Sequence, residues 1–213
     1  MKIKMKIVLS LILFIGICFA GELEDDIEAS NAYKNKNYMK ALMIWGARAS
    51  QGSASAQYNL GIMYQGDLKN NNEAVKWYKK SAMQGHLPAQ INLAVMYAEG
   101  SGTEQNYKKA FKWFKEAAKQ GSAEGQFGVG LMLMKGDGVS KNYEEALKWF
   151  KRSANQGHAR ALNNLGFMYM NGYGVSKNYK ESTKWLAKAI KQGNKAAKKY
   201  LTIICEESPS FCK

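Results

Sequence analysis

Hydrophobic and polar residues recur along most of the chain with the spacing of amphipathic helices. Between Asn142 and Gly157, alanine, aromatic and small residues return every three or four positions, which is the period of one helical face. Asn142 is a suitable N-cap with Glu145 three residues on, and Gly157 can take the left-handed conformation that ends a helix. The pattern therefore predicts one helix over this stretch.

Another helix is predicted after each Gln-Gly pair. The one that follows Ser53 has a packed stripe of Ala56, Leu60 and Tyr64, and small residues such as Gly61 let neighbouring helices approach closely. A short turn, of the form Gly-x-Gly in most copies, then leads back to the next asparagine. The corresponding helices begin near His86, Ser122, His158 and Asn194.

The pair of helices is a repeated unit. The Gln-Gly pairs that begin at Gln51, Gln84, Gln120, Gln156 and Gln192 are separated by 33, 36, 36 and 36 residues. Two helices of about 12 to 14 residues cannot bury a hydrophobic face alone, whereas stacked copies can. The sequence therefore predicts an all-α fold, an α-solenoid of stacked helix-turn-helix repeats, with a tryptophan column in its core. The column consists of Trp77, Trp113, Trp149 and Trp185, each 36 residues after the last.

The first twenty residues have the features of an export signal. Lys2, Lys4 and Lys6 precede an apolar run over residues 7–19, and Ala20 offers a small residue for cleavage. The run is shorter than the roughly 20 residues of a membrane-spanning helix, although an uncleaved anchor stays an alternative. Lipid attachment at Cys18 is a third reading, disfavoured by Ile17 before it. We expect an exported protein, periplasmic or secreted.

Cleavage after residue 20 changes the charge and the cysteine content. The remaining chain has 28 basic and 17 acidic residues, a net charge of +11, against +14 for the whole chain. Its two cysteines, Cys205 and Cys212, are expected to form a disulfide that holds the C-terminal tail, since an even pair in an exported protein favours a bridge over a reactive thiol or metal site.

Lysines recur on the tryptophan-bearing helices and predict a basic outer face. A solvated face is the default interpretation, and attraction to an anionic envelope surface is the functional one. Nucleic acid is disfavoured as a partner by export. The lysines are Lys76, Lys79, Lys112, Lys115, Lys148, Lys151, Lys184 and Lys188.

Candidate catalytic and metal sites are scarce. His86 and His158 occupy the helix-start column and are explained as caps, and no Gly-x-Ser-x-Gly or His-Glu-x-x-His string occurs. Gly136-Asp-Gly-Val and Gly172-Tyr-Gly-Val resemble phosphate-binding loops, but they recur at equal spacing and precede capped helices, so we interpret them as turns. The sequence predicts no catalytic residue, no metal ligand and no cofactor.

Two columns beside the packed stripe are candidates for a binding groove. An asparagine amide can both donate to and accept from a peptide backbone, and methionine gives an adaptable apolar contact. The alternative for these positions, above all for the methionines, is a place in the core. The candidate groove residues are Asn59, Met63, Asn92, Met96, Met132, Asn164 and Met168.

The motif Leu165-Gly166-x-x-Tyr169-x-x-Gly172-x-Gly174-Val175, together with Ala146-x-x-Trp149-Phe150-x-x-Ser153-Ala154-x-x-Gly157, resembles the Sel1-like repeat, a relative of the tetratricopeptide repeat. The resemblance implies a right-handed superhelix that binds proteins or peptides along its concave surface. Exported bacterial members are associated with envelope assembly, secretion or interaction with host cells. A cysteine-rich branch is catalogued as β-lactamases, but this chain has residues such as Ala82 and Gln90 where that branch carries cysteines.

These observations divide the chain into four parts and favour an exported scaffold, monomeric and not an enzyme, that binds a protein or peptide. A β-lactamase-like or penicillin-binding hydrolase and a secreted host-directed effector are the alternatives. The four parts are a signal peptide (1–20), an irregular helical hairpin (21–52), four Sel1-like repeats (53–193) and a C-terminal capping helix with a disulfide-tethered tail (194–213).

Overall fold

The computed structural model describes residues 23–211 and the backbone of Cys212, and the predicted signal peptide lies outside these residues. The described part is helical throughout, without a strand, which confirms the all-α class of helix-turn-helix repeats. It forms two compact units, one ending at His86 and the other beginning at Leu87.

Unit 1 contains four helices, and its N-terminal part packs around alanine and aromatic side chains. Ala29, Ala41 and Trp45 are buried together with Leu60 and Met63. The helices are α1 (residues 23–34), α2 (Tyr38–Ser50), α3 (Ala54–Gly66) and α4 (Asn71–Met83).

Unit 2 contains three complete helix pairs and a terminal helix. The terminal helix leads into a short 3₁₀ turn over Pro209–Cys212. The helices are α5 (Leu87–Glu99), α6 (Tyr107–Lys119), α7 (Ala123–Lys135), α8 (Tyr143–Asn155), α9 (Ala159–Asn171), α10 (Tyr179–Lys191) and α11 (Ala196–Glu207). We call α3, α5, α7 and α9 the first helices of their repeats, and α4, α6, α8 and α10 the second helices.

Side-chain caps and glycines set the helix ends where the sequence predicts them. The Asn142 side chain accepts a hydrogen bond from the backbone N–H of Glu145 at 2.9 Å, and the same contact recurs at the start of each second helix. His158 caps α9 through its ring, which accepts from the backbone N–H of Ala161 at 3.2 Å. The predicted capping role of His158 is therefore confirmed.

The core of each repeat lies one residue past the tryptophan column. Phe150 is fully buried, whereas Trp149 beside it is only half-buried, and Trp77, Trp113 and Trp185 are half-buried too. The prediction that the tryptophans form the core is therefore wrong. Consecutive residues on a helix point about 100° apart, and the packing of the pair turns the second of them inward. The buried column is Tyr78, Phe114, Phe150 and Leu186.

Glycines on the first helices accommodate these buried side chains. A Cβ added to Gly61 would lie 2.5 Å from the Tyr78 ring, and one added to Gly166 would lie 2.5 Å from Leu186. Both distances are too short for real carbon atoms, so the close approach of the paired helices depends on glycine at these positions. The predicted role of the small residues is confirmed.

Glutamine pairs join successive repeats through a buried amide. The Gln120 side-chain N–H donates to Gln90 Oε1 at 2.8 Å, and Gln156 donates to Gln126 at 2.9 Å. Gln90 and Gln126 are almost completely buried, so each bond satisfies a polar group that would otherwise be costly to bury.

The C-terminal bridge remains a prediction. Cys205 lies in α11, but the side chain of Cys212 falls outside the described part of the chain.

Candidate binding face

One side of each first helix in unit 2 is only partly buried. On α5, Asn92 and Val95 are only partly buried, and they share this side because they stand three residues apart. Leu131 of α7 and Asn164 and Phe167 of α9 occupy the matching positions, also partly buried. We call this side of α5, α7 and α9 the first-helix face.

The predicted methionines do not belong to the first-helix face. Met63, Met96, Met132 and Met168 are 0%, 1%, 4% and 0% exposed. Each stands three residues after a buried aliphatic side chain of the packed stripe, such as Leu93 before Met96, and therefore points inward with it. These four are corrected to core residues, which is the alternative that the sequence left open.

The predicted asparagines do lie at the surface of their units. Asn92 and Asn164 are on the first-helix face, and Asn59 has the equivalent position on α3 of unit 1. Asn164 Oδ1 accepts a long hydrogen bond, 3.5 Å, from the amide of Asn163.

Sequence reasoning missed an apolar column on the same face. Val95, Leu131 and Phe167 each stand directly before a core methionine, and all three are partly exposed. Ile62 has the equivalent position on α3 of unit 1. The available signal was an apolar residue three positions after the asparagine column and outside the packed stripe. On α5 and α9 an amide and an apolar side chain thus stand three residues apart, an arrangement that suits a polypeptide ligand.

A cavity opens on this face where the asparagine column is interrupted. At the matching position of α7 stands Gly128, and the Phe114 ring packs so closely on it that an added Cβ would overlap the ring. The cavity has a volume of about 360 Å³. Its apolar wall includes Val95, Phe127 and Leu131.

A charged cluster closes the cavity at the N-terminal ends of α7 and α9. Because the Nδ1 atom of His158 accepts from the backbone, the proton of the neutral ring is on Nε2, which donates to Glu124 at 2.7 Å. Arg160 pairs with the other Glu124 oxygen, and its guanidinium lies 4.6 Å from the centre of the Phe127 ring. The hydrogen bond from His158 lowers the pKa of Glu124, burial partly opposes this, and the charge of Arg160 lowers the pKa further.

This cluster predicts a pH dependence of stability. A carboxylate with a lowered folded-state pKa stabilises the fold above its unfolded pKa, and the contribution is lost as pH falls through the folded value. Glu124→Gln should therefore be less stable than the parent near pH 6, and the gap should narrow between about pH 5 and pH 3. Urea unfolding across this range measures the gap. A gap that is constant with pH would contradict the assigned role of Glu124.

Six of the eight predicted lysines lie on α6, α8 and α10 of unit 2, and we call the exposed side of these helices the second-helix face. Lys76 and Lys79 lie on α4 of unit 1. Some of the unit 2 lysines contact an acidic or aromatic side chain within the unit. Lys184 pairs with Glu181 at 2.6 Å, and Lys188 lies 4.6 Å from the centre of the Trp185 ring. Lys112 and Lys148 are exposed. The face is therefore basic but partly neutralised.

Between residues 23 and 212, no group of three or more His, Cys, Asp or Glu side chains could hold a metal ion. No helix in that range is long and apolar enough to cross a bilayer.

The helix pairs coincide with a known repeat pattern. The Sel1 repeat matches at residues 54–86, 87–122, 123–158 and 159–194. The chain belongs to the Sel1 repeat family. Sel1 repeat proteins are protein-interaction scaffolds that in general bind other proteins. No curated protein matches the chain.

Solved Sel1 repeat structures resemble this one. A Sel1 repeat protein from Oxalobacter formigenes is 32% identical with a TM-score of 0.79, covering 86% of this chain and 74% of its own. A protective antigen of uropathogenic Escherichia coli strains that displays the same repeat fold is 37% identical with a TM-score of 0.74 over 78% of this chain. The match spans only 36% of the antigen. A Klebsiella pneumoniae Sel1 repeat protein, 21% identical over 87% of this chain and 90% of its own, with a TM-score of 0.50, shares the fold alone.

Proposed function

We propose that this Sel1 repeat protein is an exported, monomeric scaffold whose first-helix face binds a segment of another protein. The observation that carries the proposal is the partly exposed pairing of an amide with an apolar side chain on α5 and α9, together with the apolar Leu131 on α7. Asn92 and Asn164 would hydrogen-bond the backbone of the bound segment, and Val95, Leu131 and Phe167 would contact its side chains.

The chemistry of the face supports a polypeptide ligand. An amide side chain offers both donor and acceptor, which matches the paired N–H and C=O groups of an extended or helical backbone. Partly exposed aliphatic and aromatic side chains can bury apolar area of the ligand, at about 25 cal/mol per Å². Neither feature needs a catalytic group or a cofactor.

Capture of the partner in cells tests the scaffold function. We expect the tagged full-length chain to co-purify a protein after crosslinking, and Asn92→Ala combined with Asn164→Ala to reduce that capture by about tenfold or more. The matched control replaces Asn72 and Asn155, exposed asparagines of second helices, with alanine. The proposal is wrong if the groove variant and the control capture the partner equally well.

Export is tested separately, because the predicted signal lies outside the described residues. Fusion of residues 1–30 to a phosphatase that is active only after export should give activity, and deletion of residues 2–20 should abolish it. An oxidised Cys205–Cys212 pair in the purified protein, shown by thiols that a thiol reagent labels in the denatured sample only after reduction, would agree with an oxidising compartment. Phosphatase activity that survives the deletion would contradict the signal peptide.

The second-helix face carries an alternative interaction. Exposed lysines such as Lys112 and Lys148 support attraction to an anionic envelope surface. In that case the Asn92 and Asn164 variant would capture the partner as well as the parent does, and capture would disappear at high salt. Exposed charges are screened beyond about 8 Å at physiological ionic strength, and this distance shortens as the salt concentration rises.

A further inference from the structure

We propose that the cavity at Gly128 is an anchor pocket for one large apolar side chain of the bound segment, next to a lysine or arginine of the same segment. This inference rests on the proposed function and states which segments the first-helix face selects. It follows from the shape of the cavity and from the charges at its rim.

The shape follows from the missing side chain at position 128. The other first helices have Asn59, Asn92 and Asn164 at this position, and each of these residues carries a polar amide. At Gly128 the Phe114 ring occupies the space that a Cβ would need, and this ring lines the cavity as an apolar floor.

The cavity is large enough to admit a large apolar side chain. Its volume of about 360 Å³ lies at the lower end of the range of about 300 to 1,000 Å³ for ligand sites. Val95 of α5 and Leu131 and Phe127 of α7 line it. A leucine, isoleucine, methionine or phenylalanine could bury its side chain between them.

The charges at the rim favour a neighbouring cation. Glu99, Glu124 and Asp137 line the cavity together with Lys135 and Arg160. Glu124 is already paired with His158 and Arg160. Glu99, Asp137 and Lys135 form no ion pair with the residues that the structure describes. The carboxylates of Glu99 and Asp137 outnumber the single ammonium of Lys135, which leaves an excess negative charge beside the apolar pocket.

This local charge is opposite to that of the chain as a whole. With 31 basic and 17 acidic residues, the protein repels cationic ligands at long range. The acidic rim therefore discriminates between segments. A basic residue next to the apolar anchor is attracted to the rim, whereas an acidic residue is not.

A peptide array tests the anchor pocket. Every pair of amino acids is presented within a constant Gly-Ser frame and probed with the full-length chain. We expect enrichment of leucine, isoleucine, methionine or phenylalanine next to lysine or arginine. Gly128→Asn, which restores the amide of the other repeats, should reduce the apolar preference by about tenfold or more.

A second variant isolates the rim. Glu99→Gln combined with Asp137→Asn should reduce the preference for a basic neighbour about threefold and leave the apolar preference unchanged. Its matched control is Glu116→Gln, a carboxylate of the second helix α6 that pairs with Lys119. Circular dichroism establishes that each variant is folded, and if Gly128→Asn is not, Leu131→Ala tests the same wall.

Three results would overturn the anchor pocket. One is an array without any preference for an apolar anchor, and the second is a preference that both pocket variants retain. The third is binding of free leucine amide as tightly as the best peptide, which would assign the cavity to a small amine. In each case, capture in cells with the Asn92 and Asn164 variant still decides the scaffold function, so the two failures are distinguishable.

Discussion

Replacement of Phe150 by alanine is expected to lower the free energy of unfolding by about 3 to 5 kcal/mol. The Phe150 side chain is 0% exposed, lies 5.8 Å from the Phe127 ring between their centres, and packs on Gly130. Its removal leaves a cavity in the middle of unit 2 that the paired helices cannot close without losing their other contacts. Urea unfolding of the two proteins measures the difference.

Trp149→Ala is the matched control for this prediction. Trp149 is the larger residue and directly precedes Phe150, but it is half-buried, and its indole N–H donates a long bond of 3.4 Å to Glu145. We expect it to cost less than half as much as Phe150→Ala. An equal or larger loss of stability in Trp149→Ala would show that the tryptophan column belongs to the core.

Replacement of Gly174 by alanine should cost about 2 to 4 kcal/mol, the second largest effect on stability. Gly174 has a φ of +66°, which is unfavourable for alanine. An added Cβ would also lie 2.5 Å from the carbonyl of Tyr143, whose ring stacks on Tyr173 at 4.8 Å. The turn and the start of α8 would therefore have to separate.

Gly157→Ala separates the cost of backbone strain from the cost of the contact with Tyr143. Gly157 has a φ of +82°, but the nearest atom to an added Cβ is 3.9 Å away, so only the backbone cost of about 1 to 2 kcal/mol applies. In thermal unfolding, Gly174→Ala should have a clearly lower melting temperature than Gly157→Ala. Equal melting temperatures would show that the contact with Tyr143 contributes nothing.

The same turn explains why the glycine-rich loops are not phosphate sites. Gly136 and Gly172 end α7 and α9 in the left-handed conformation. Gly138 and Gly174, two residues later, pack against the backbone of Tyr107 and Tyr143. The space beside these second glycines is occupied by the chain itself, which agrees with their interpretation as turns.

The repeat architecture could be predicted from the sequence because local signals and spacing agree. Asparagine caps, glycine ends and the 36-residue period each indicate the same helix pairs, and all three reappear in the structure. Such consistency among local preferences is what allows a sequence to specify one fold. The core alanines, such as Ala110 and Ala146, were also visible as a repeated column.

The side chains at the edge of the packed stripe could not be predicted in the same way. A wide apolar stripe contains neighbours such as Trp149 and Phe150, and periodicity alone does not tell which of the two lies at its centre. The contact with the partner helix decides, because Gly130 leaves space for a ring at position 150. The same uncertainty placed Met96 on the surface and overlooked Val95 beside it.

The cavity at Gly128 required the structure. In the sequence, Gly128 is a small residue among several on α7, including Gly125 and Gly130. All three glycines face a second helix, but Gly128 also lines the cavity, whereas Gly125 and Gly130 do not. The difference depends on the orientation of each position, which the composition of α7 does not show.

The most direct test of the scaffold places a photo-crosslinking amino acid at single positions in cells. We predict that a crosslinker at Asn92 or Asn164, on the first-helix face, joins the chain to another protein, whereas one at Lys112 or Lys148, on the second-helix face, does not. Crosslinks from Lys112 and Lys148 alone would contradict the account and assign binding to the basic second-helix face.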